Sequence, residues 1–158
     1  MPTLFLVRHA KSEHGTWDIA DIDRPLNARG YSDAPVMATR YLEKFNAPDL
    51  IISSPAVRAL STALLFARCF EIDPGKIHIE KELYESSTSQ YLKILRKYND
   101  QAKSIMLFGH NPVISETASK LVTSLNTDMP TCAIVGIELK PSGKNEVIYI
   151  DYPKNNPG

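Results

Sequence analysis

Short, almost uninterrupted apolar runs recur along this chain: Leu4-Phe5-Leu6-Val7, Leu50-Ile51-Ile52, Ile77 with Ile79, and Ile105-Met106-Leu107-Phe108. Longer segments of helical period separate them. A strand that is apolar on both faces must be covered on both faces. That condition is met in a parallel sheet clad by helices and not in an antiparallel sheet with one wet side. The alternation of strand and helix therefore predicts an α/β fold, a three-layer α/β/α sandwich around a mostly parallel sheet. With 158 residues, 43% of them hydrophobic, the chain buries one sizeable core. A single domain is expected over residues 1–152. The tail 153–158, PKNNPG, has no core-forming side chain and is expected to fray.

Between the first two runs, Ala34, Met37, Ala38, Tyr41, Leu42 and Phe45 follow the i, i+3, i+4, i+7 pattern of an amphipathic helix, with Asn27 or Ser32 as its cap. Pro35 predicts either a start at Ser32 or a kink. Ser54-Pro55 reads as a cap and first-turn proline opening a helix through Val57, Leu60, Leu64, Ala67 and Phe70. Asn111-Pro112 repeats that signal ahead of Ile114, Ala118, Leu121, Val122 and Leu125, with Asn111 as the cap. A third helix carries Tyr91, Leu92, Leu95 and Tyr98, capped by a Ser or Thr among residues 86–89. Residues 132–139 and 146–150 read as two strands joined at Pro141-Ser142-Gly143-Lys144, a C-terminal antiparallel hairpin at one edge of the sheet.

Lys plus Arg and Asp plus Glu each total 18, so the net charge is zero and no global basic field gathers nucleic acid or an anionic membrane. No apolar run approaches the length of a membrane span, and Met1-Pro2 leads straight into the first of them. Neither a signal peptide nor a membrane helix is expected. Cys69 and Cys132 lie in apolar surroundings without CxxC spacing, which predicts two buried thiols in a reducing cytoplasm.

In open α/β sheets, ligands bind beyond the carboxyl ends of the strands. The first strand runs into Arg8-His9. The second runs into Ser53-Ser54-Pro55, with Arg58 one turn into the helix, and the fourth into Gly109-His110-Asn111-Pro112. Two arginines and two histidines make a poor metal site, because a guanidinium is a cation and no carboxylate or cysteine ligand is near in sequence. They suit a phosphoryl dianion, whose oxygens match guanidinium forks and helix-start N–H groups. A neutral imidazole aimed at phosphorus is a nucleophile once its other nitrogen is fixed as N–H. His9, at the end of a rigid buried strand, is assigned that role. Arg8, Arg58 and His110 are assigned to the phosphoryl oxygens. No metal and no cofactor are called for. Taken singly, each of these residues reads equally as a strand-end charge or a satisfied structural histidine; their joint placement carries the assignment.

Leu6-Val7-Arg8-His9-Ala10 with Lys11-Ser12, Ser54-Pro55-Ala56-Val57-Arg58-Ala59 with Thr62-Ala63, and Gly109-His110-Asn111 resemble, in order, the histidine phosphatase superfamily of phosphoglycerate mutase-like fold. The short length and Asp23-Arg24-Pro25-Leu26-Asn27-Ala28-Arg29-Gly30 make the chain most similar to SixA-like phosphohistidine phosphatases. The resemblance implies a phosphohistidine intermediate on His9 in a pocket completed by Arg8, Arg58 and His110. It also implies an acidic residue in an L-x-E context as proton donor. Leu83-Tyr84-Glu85 matches, giving Glu85, with Glu82 as the neighbouring alternative and no protein acid as the third, since SixA-like members often lack one and an imidazole leaving group differs from an alkoxide in its need for a proton.

Ser12 reads either as a phosphate contact or as a loop hydroxyl, and Trp17 either flanks the site or packs under its loop. His14 and His78 show no partner. The expected function is a metal-independent phosphatase, its substrate a phosphohistidine protein or a small phosphate ester. A mutase or small-molecule phosphatase is disfavoured because only about fifty residues between Arg58 and His110 must hold a strand, a helix and their connections. A non-catalytic phosphate-binding module is disfavoured by the intact nucleophile position. An α/β-hydrolase lacks its G-x-S-x-G, since Gly109-His110-Asn111-Pro112 has histidine in place of serine.

Overall fold

A computed structural model describes residues 2–154. Six strands form one sheet in the order β3-β2-β4-β1-β5-β6. They are β1 (Thr3–Arg8), β2 (Leu50–Ser53), β3 (His78–Ile79), β4 (Ser104–Gly109), β5 (Ile134–Glu138) and β6 (Glu146–Asp151). β1, β2, β3 and β4 pair in parallel, whereas β5 runs antiparallel to β1 and β6 antiparallel to β5. The expected mostly parallel sheet with an edge hairpin is present.

The period-2 geometry of β1 divides its apolar side chains between two cores. Phe5 and Val7 meet Ala34, Met37, Ala38 and Tyr41 of α1 (Ala28–Leu42) and Ala63, Phe66, Ala67 and Phe70 of α2 (Val57–Phe70). Leu4 and Leu6 meet Tyr91, Ile94, Leu95 and Tyr98 of α3 (Thr88–Tyr98) and Ile114 and Ala118 of α4 (Val113–Leu121) on the other face. Helices on both faces make the three layers.

Several local expectations hold. Asn27 caps α1 by accepting from Gly30 N–H, and Ser87 caps α3 by accepting from Gln90 N–H. The start at Ser32 is overturned: α1 begins at Ala28 and carries Pro35 inside it.

Others are overturned. α2 starts at Val57 with no side-chain cap, because Ser54 and Pro55 are spent on the strand end and turn before it. Its buried stripe is Ala59, Ala63, Phe66, Ala67 and Phe70, and Leu64 faces outward at 38% exposure. The small alanines set that phase by letting the helix lie close on the sheet. Asn111 caps no backbone N–H. Its amide donates to Asp128 Oδ1 and the Met129 carbonyl, and α4 starts at Val113 after a cis Asn111-Pro112 bond. The run at Ile77 and Ile79 yields only the two-residue edge strand β3, exposed at both positions. His78 there has a partner after all, its ring lying edge-on to Tyr98 at 5.1 Å. Cys132 is buried but Cys69 only half-buried, and both are free thiols. The end of the expected tail, 155–158, lies outside the described residues; Pro153 accepts from Arg40 Nη2 at 3.1 Å. Among the described residues no helix is long and apolar enough to cross a membrane.

Candidate active site

Strand register assembles the site. Arg8 pairs with Gly109, and Ser53 with Phe108, so β1, β4 and β2 end side by side. Backbone bonds continue past the ends: His9 N–H donates to Gly109 O at 3.1 Å, and Ser54 N–H to Phe108 O at 3.1 Å. His9, His110 and Ser54 therefore leave adjacent strands at one level. Gly109 is needed there, because a Cβ would stand 2.5 Å from the Tyr91 hydroxyl oxygen. That hydroxyl accepts from His110 N–H at 3.1 Å and donates to Leu83 O at 3.1 Å, joining the β4 end to the segment that carries Tyr84 and Glu85.

The His9 and His110 rings lie 5.3 Å apart, centroid to centroid. His9 is buried, at 7% exposure. Its Nδ1 is 2.7 Å from the Ala10 carbonyl oxygen, an atom that can only accept. Nδ1 therefore carries the proton, and the lone pair is left on Nε2. Burial foremost, and then the charges of His110, Arg58 and Arg8, holds the His9 pKa down at about 3, against the opposing pull of the Ala10 bond. Burial and then Arg58 lower His110 to about 4. Both rings are neutral near pH 7. The turn after His9 is tied to α2: Ala10 N–H donates to Thr62 Oγ1 at 3.0 Å, and that hydroxyl donates to Arg58 O at 2.7 Å.

The two arginines are each anchored by one part of the guanidinium. Arg8 Nη1 donates to Met129 O at 3.0 Å. Arg58 donates from Nη1 to Asp21 O at 2.8 Å and from Nη2 to Asp21 Oδ2 at 3.1 Å. Arg8 Nε, Arg58 Nε and His110 Nδ1 are buried without a hydrogen-bond partner among the described residues. Buried polar groups seldom lack partners, and catalytic sites are among the places where they do. Three such nitrogens around one imidazole can hold the oxygens of a tetrahedral oxyanion while Nε2 faces its central atom.

Asp21, Tyr84 and Ser54 complete the arrangement, and the sequence reading gave none of the three a role at this site. Asp21 binds Arg58, Arg24 and the Tyr84 hydroxyl, the last at 2.7 Å. The Tyr84 hydrogen bond first, and then the Arg58 charge, holds the Asp21 carboxyl down at about 2. The Tyr84 ring lies 5.9 Å from the Arg58 guanidinium carbon and 5.7 Å from the His110 ring. Only the position of Tyr84 beside Glu85 hinted at it in the sequence; nothing local marked Asp21.

Glu85 is exposed on this rim, in left-handed backbone at φ 49°, and its carboxylate makes no hydrogen bond among the described residues. Glu82, also exposed, lies in the short turn Lys81–Leu83. Ser12 accepts from Arg24 Nη1 at 2.6 Å and bridges to Leu26, so its hydroxyl is engaged with the loop. Trp17 is 98% exposed, and packing under the loop is overturned. His14 is exposed.

Comparison with known proteins bears on the fold and the family. An uncharacterized chloroplastic protein of Arabidopsis thaliana is 32% identical over 142 residues; the match takes in 82% of this chain, which spans 62% of that relative's length. The SixA structure from Agrobacterium tumefaciens superposes with a TM-score of 0.85 at 28% identity, over 96% of this chain and 98% of that one. The protein histidine phosphatase SixA complexed with tungstate also gives 0.85, at 20% identity, over 97% and 98% of the two chains. The pattern of the histidine phosphatase superfamily (branch 1) matches residues 4–104, and the chain belongs to that superfamily.

Proposed function

We propose that this protein is a metal-independent phosphatase that carries the phosphoryl group on His9, and that its substrate is phosphohistidine in a protein. In the first step the His9 Nε2 lone pair attacks phosphorus in line. The new N–P bond forms as the substrate's P–N bond breaks, the leaving nitrogen keeps the electron pair, and the substrate imidazole, already protonated on its other nitrogen, departs neutral. In the second step water attacks the phosphoryl group, His9 departs, and inorganic phosphate is released. Arg8, Arg58 and His110 meet the charge on the non-bridging oxygens throughout.

The observation that carries this reading is the set of three unpartnered buried nitrogens, Arg8 Nε, Arg58 Nε and His110 Nδ1, beside an imidazole with a free Nε2. A protein substrate is favoured by openness. Between α2 and β4 the chain makes only short 3-10 turns, the two-residue β3 and α3, which leaves no insertion to enclose a small molecule. The names of the SixA relatives point the same way. Free Cys69 and Cys132 accord with a reducing compartment, which we take to be the cytoplasm.

Specificity constants for a phosphohistidine protein, phosphoserine and phosphotyrosine peptides, and sugar phosphates test the assignment. The phosphohistidine protein is expected to rank first. His9→Ala is expected to abolish turnover without loss of fold, and rapid quenching to trap acid-labile phosphate on the wild-type chain. Sugar phosphates ranking first would replace the substrate assignment. Binding without turnover would make the protein a phosphate-recognition module, and an acid-stable ester would replace the nucleophile.

A further inference from the structure

We propose that the loop carrying Trp17 and Ile19 is a docking element for the polypeptide of a phosphorylated protein substrate, with the Trp17 indole receiving an apolar side chain that neighbours the phosphorylated residue. The proposal rests on the phosphatase reading above and adds to it a surface that selects among substrates.

Trp17 is 98% exposed and Ile19 43%. A large aromatic held almost wholly in water is the costliest kind of residue to leave uncovered, and such residues recur where a partner covers them. This one belongs to a built loop. The base is pinned by the Ser12 to Leu26 bridge and by Glu13 N–H donating to Pro25 O at 2.9 Å. Arg24 Nη1 crosses the loop to Ser12 Oγ at 2.6 Å and Glu13 O at 2.7 Å. Thr16 Oγ1 donates to Asp18 Oδ1 at 2.6 Å on either side of the indole.

The loop returns directly onto the phosphate pocket. Asp21, four residues after Trp17, holds Arg58 through both its carbonyl and its carboxylate. Four residues of chain reach at most about 14 Å, so the Trp17 backbone lies within that distance of Asp21, the residue that holds Arg58. His9 is 7% exposed, and a phosphorylated side chain must extend inward to meet it. The backbone and neighbours of that side chain then lie across the rim. A small phosphate ester brings no flanking residues for Trp17 to receive. Glu13, Asp18, Asp21 and Asp23 give the same loop an acidic character, which disfavours an acidic flank on the partner.

Trp17 is the only tryptophan in the chain, so its emission reports this surface alone. The probes are synthetic phosphohistidine and phosphoserine peptides, each made with leucine and phenylalanine or with serine and glycine beside the phosphorylated residue. Added to the His9→Ala protein, the apolar-flanked peptides are expected to shift Trp17 emission to the blue and to bind about tenfold more tightly than the polar-flanked ones. In the turnover-competent protein, Trp17→Ser is expected to raise KM for the apolar-flanked phosphohistidine peptide about tenfold, with kcat unchanged and p-nitrophenyl phosphate kinetics unchanged. Trp17→Phe is expected to recover most of that loss. An emission shift with phosphoserine peptides alone would uphold the docking surface and overturn phosphohistidine as the substrate. Emission unchanged by every peptide, or equal losses by Trp17→Ser on peptides and p-nitrophenyl phosphate, would overturn the docking surface and leave the phosphatase assignment standing.

Discussion

His110 Nε2 lies 2.8 Å from the hydroxyl oxygen of Ser54, joining the ends of two adjacent strands through side chains. Ala56 N–H already donates to that oxygen at 3.2 Å, which leaves the Ser54 proton free for His110. A hydroxyl donating to Nε2 places the imidazole proton on Nδ1, the buried nitrogen without a partner, and in the proposed mechanism that N–H is the donor His110 offers the phosphoryl oxygens. Ser54→Ala is expected to lower kcat/KM about tenfold, the weight of about one hydrogen bond of 1–1.5 kcal/mol. Ser54→Thr, which keeps the hydroxyl, is expected to retain more activity than Ser54→Ala. Equal activity in wild type and Ser54→Ala, measured at matched folded fraction, would remove Ser54 from the mechanism.

Acid should destabilise the protein in a way that His9 controls. His9 is held at about 3 by burial in the folded state but titrates near 6.5 in the unfolded chain. Between those values the unfolded state binds the extra proton, so stability is lost as pH falls from about 6.5 toward 3. For this one buried group the loss at pH 4.5 is on the order of 3 kcal/mol, or about 6–12 °C in Tm for a domain of this size. His9→Ala lacks the term. Its Tm relative to wild type is expected to rise as pH drops from 7.5 to 4.5, and a constant difference across that range would show that burial does not penalise the His9 cation.

Charge neutralisation by side chains predicts behaviour toward chelators and oxyanions. In the proposed mechanism, two guanidinium groups and an imidazole N–H offset the phosphoryl charge that Mg²⁺ neutralises in other phosphoryl-transfer sites. Turnover is expected to survive EDTA, and vanadate or tungstate to inhibit competitively and raise Tm. Activity lost to EDTA and restored by a divalent ion would assign the chemistry to a metal.

The parts legible in the sequence were those fixed by local pattern. Leu4-Phe5-Leu6-Val7 became a strand buried on both faces because no other environment satisfies it, and Ser87 capped its helix within the expected window of residues. Arg8, His9, Arg58 and His110 could be brought together because strand ends converge in this architecture. Long-range partners were not legible. Asp21 meets Arg58 across 37 positions and Tyr84 across 63, and no spacing rule connects such residues. Ser54-Pro55 misled in the opposite direction. A serine before proline is a strong cap signal, yet the hydroxyl was recruited by His110, 56 positions away, and the helix began later. Trp17, at 98% exposure, runs against the usual burial of aromatic side chains, and no local pattern in its loop marked that.

The proton donor is tested by leaving-group dependence. Glu85 follows Tyr84, whose ring packs against His110, and its exposed carboxylate makes no hydrogen bond that would hold it away from the site. Its left-handed φ of 49° sets the direction in which the side chain leaves the rim, and a non-glycine residue adopts that conformation at a cost of about 1 kcal/mol. If Glu85 protonates the leaving group, Glu85→Gln should slow turnover most for alkyl phosphate esters, whose alkoxides leave badly, by about 10²-fold or more. The same substitution should change turnover of an aryl ester or a phosphorylated imidazole only a few-fold, because a group that leaves readily gains little from general acid catalysis. A phosphohistidine enzyme would then need Glu85 little for its own substrate, and the carboxylate would show its effect only on esters. Equal losses across all leaving groups would assign Glu85 to ordering the rim. Wild-type rates on alkyl esters would leave Glu82, water or the substrate itself as the donor, and repeating the comparison with Glu82→Gln distinguishes the first of these from the others.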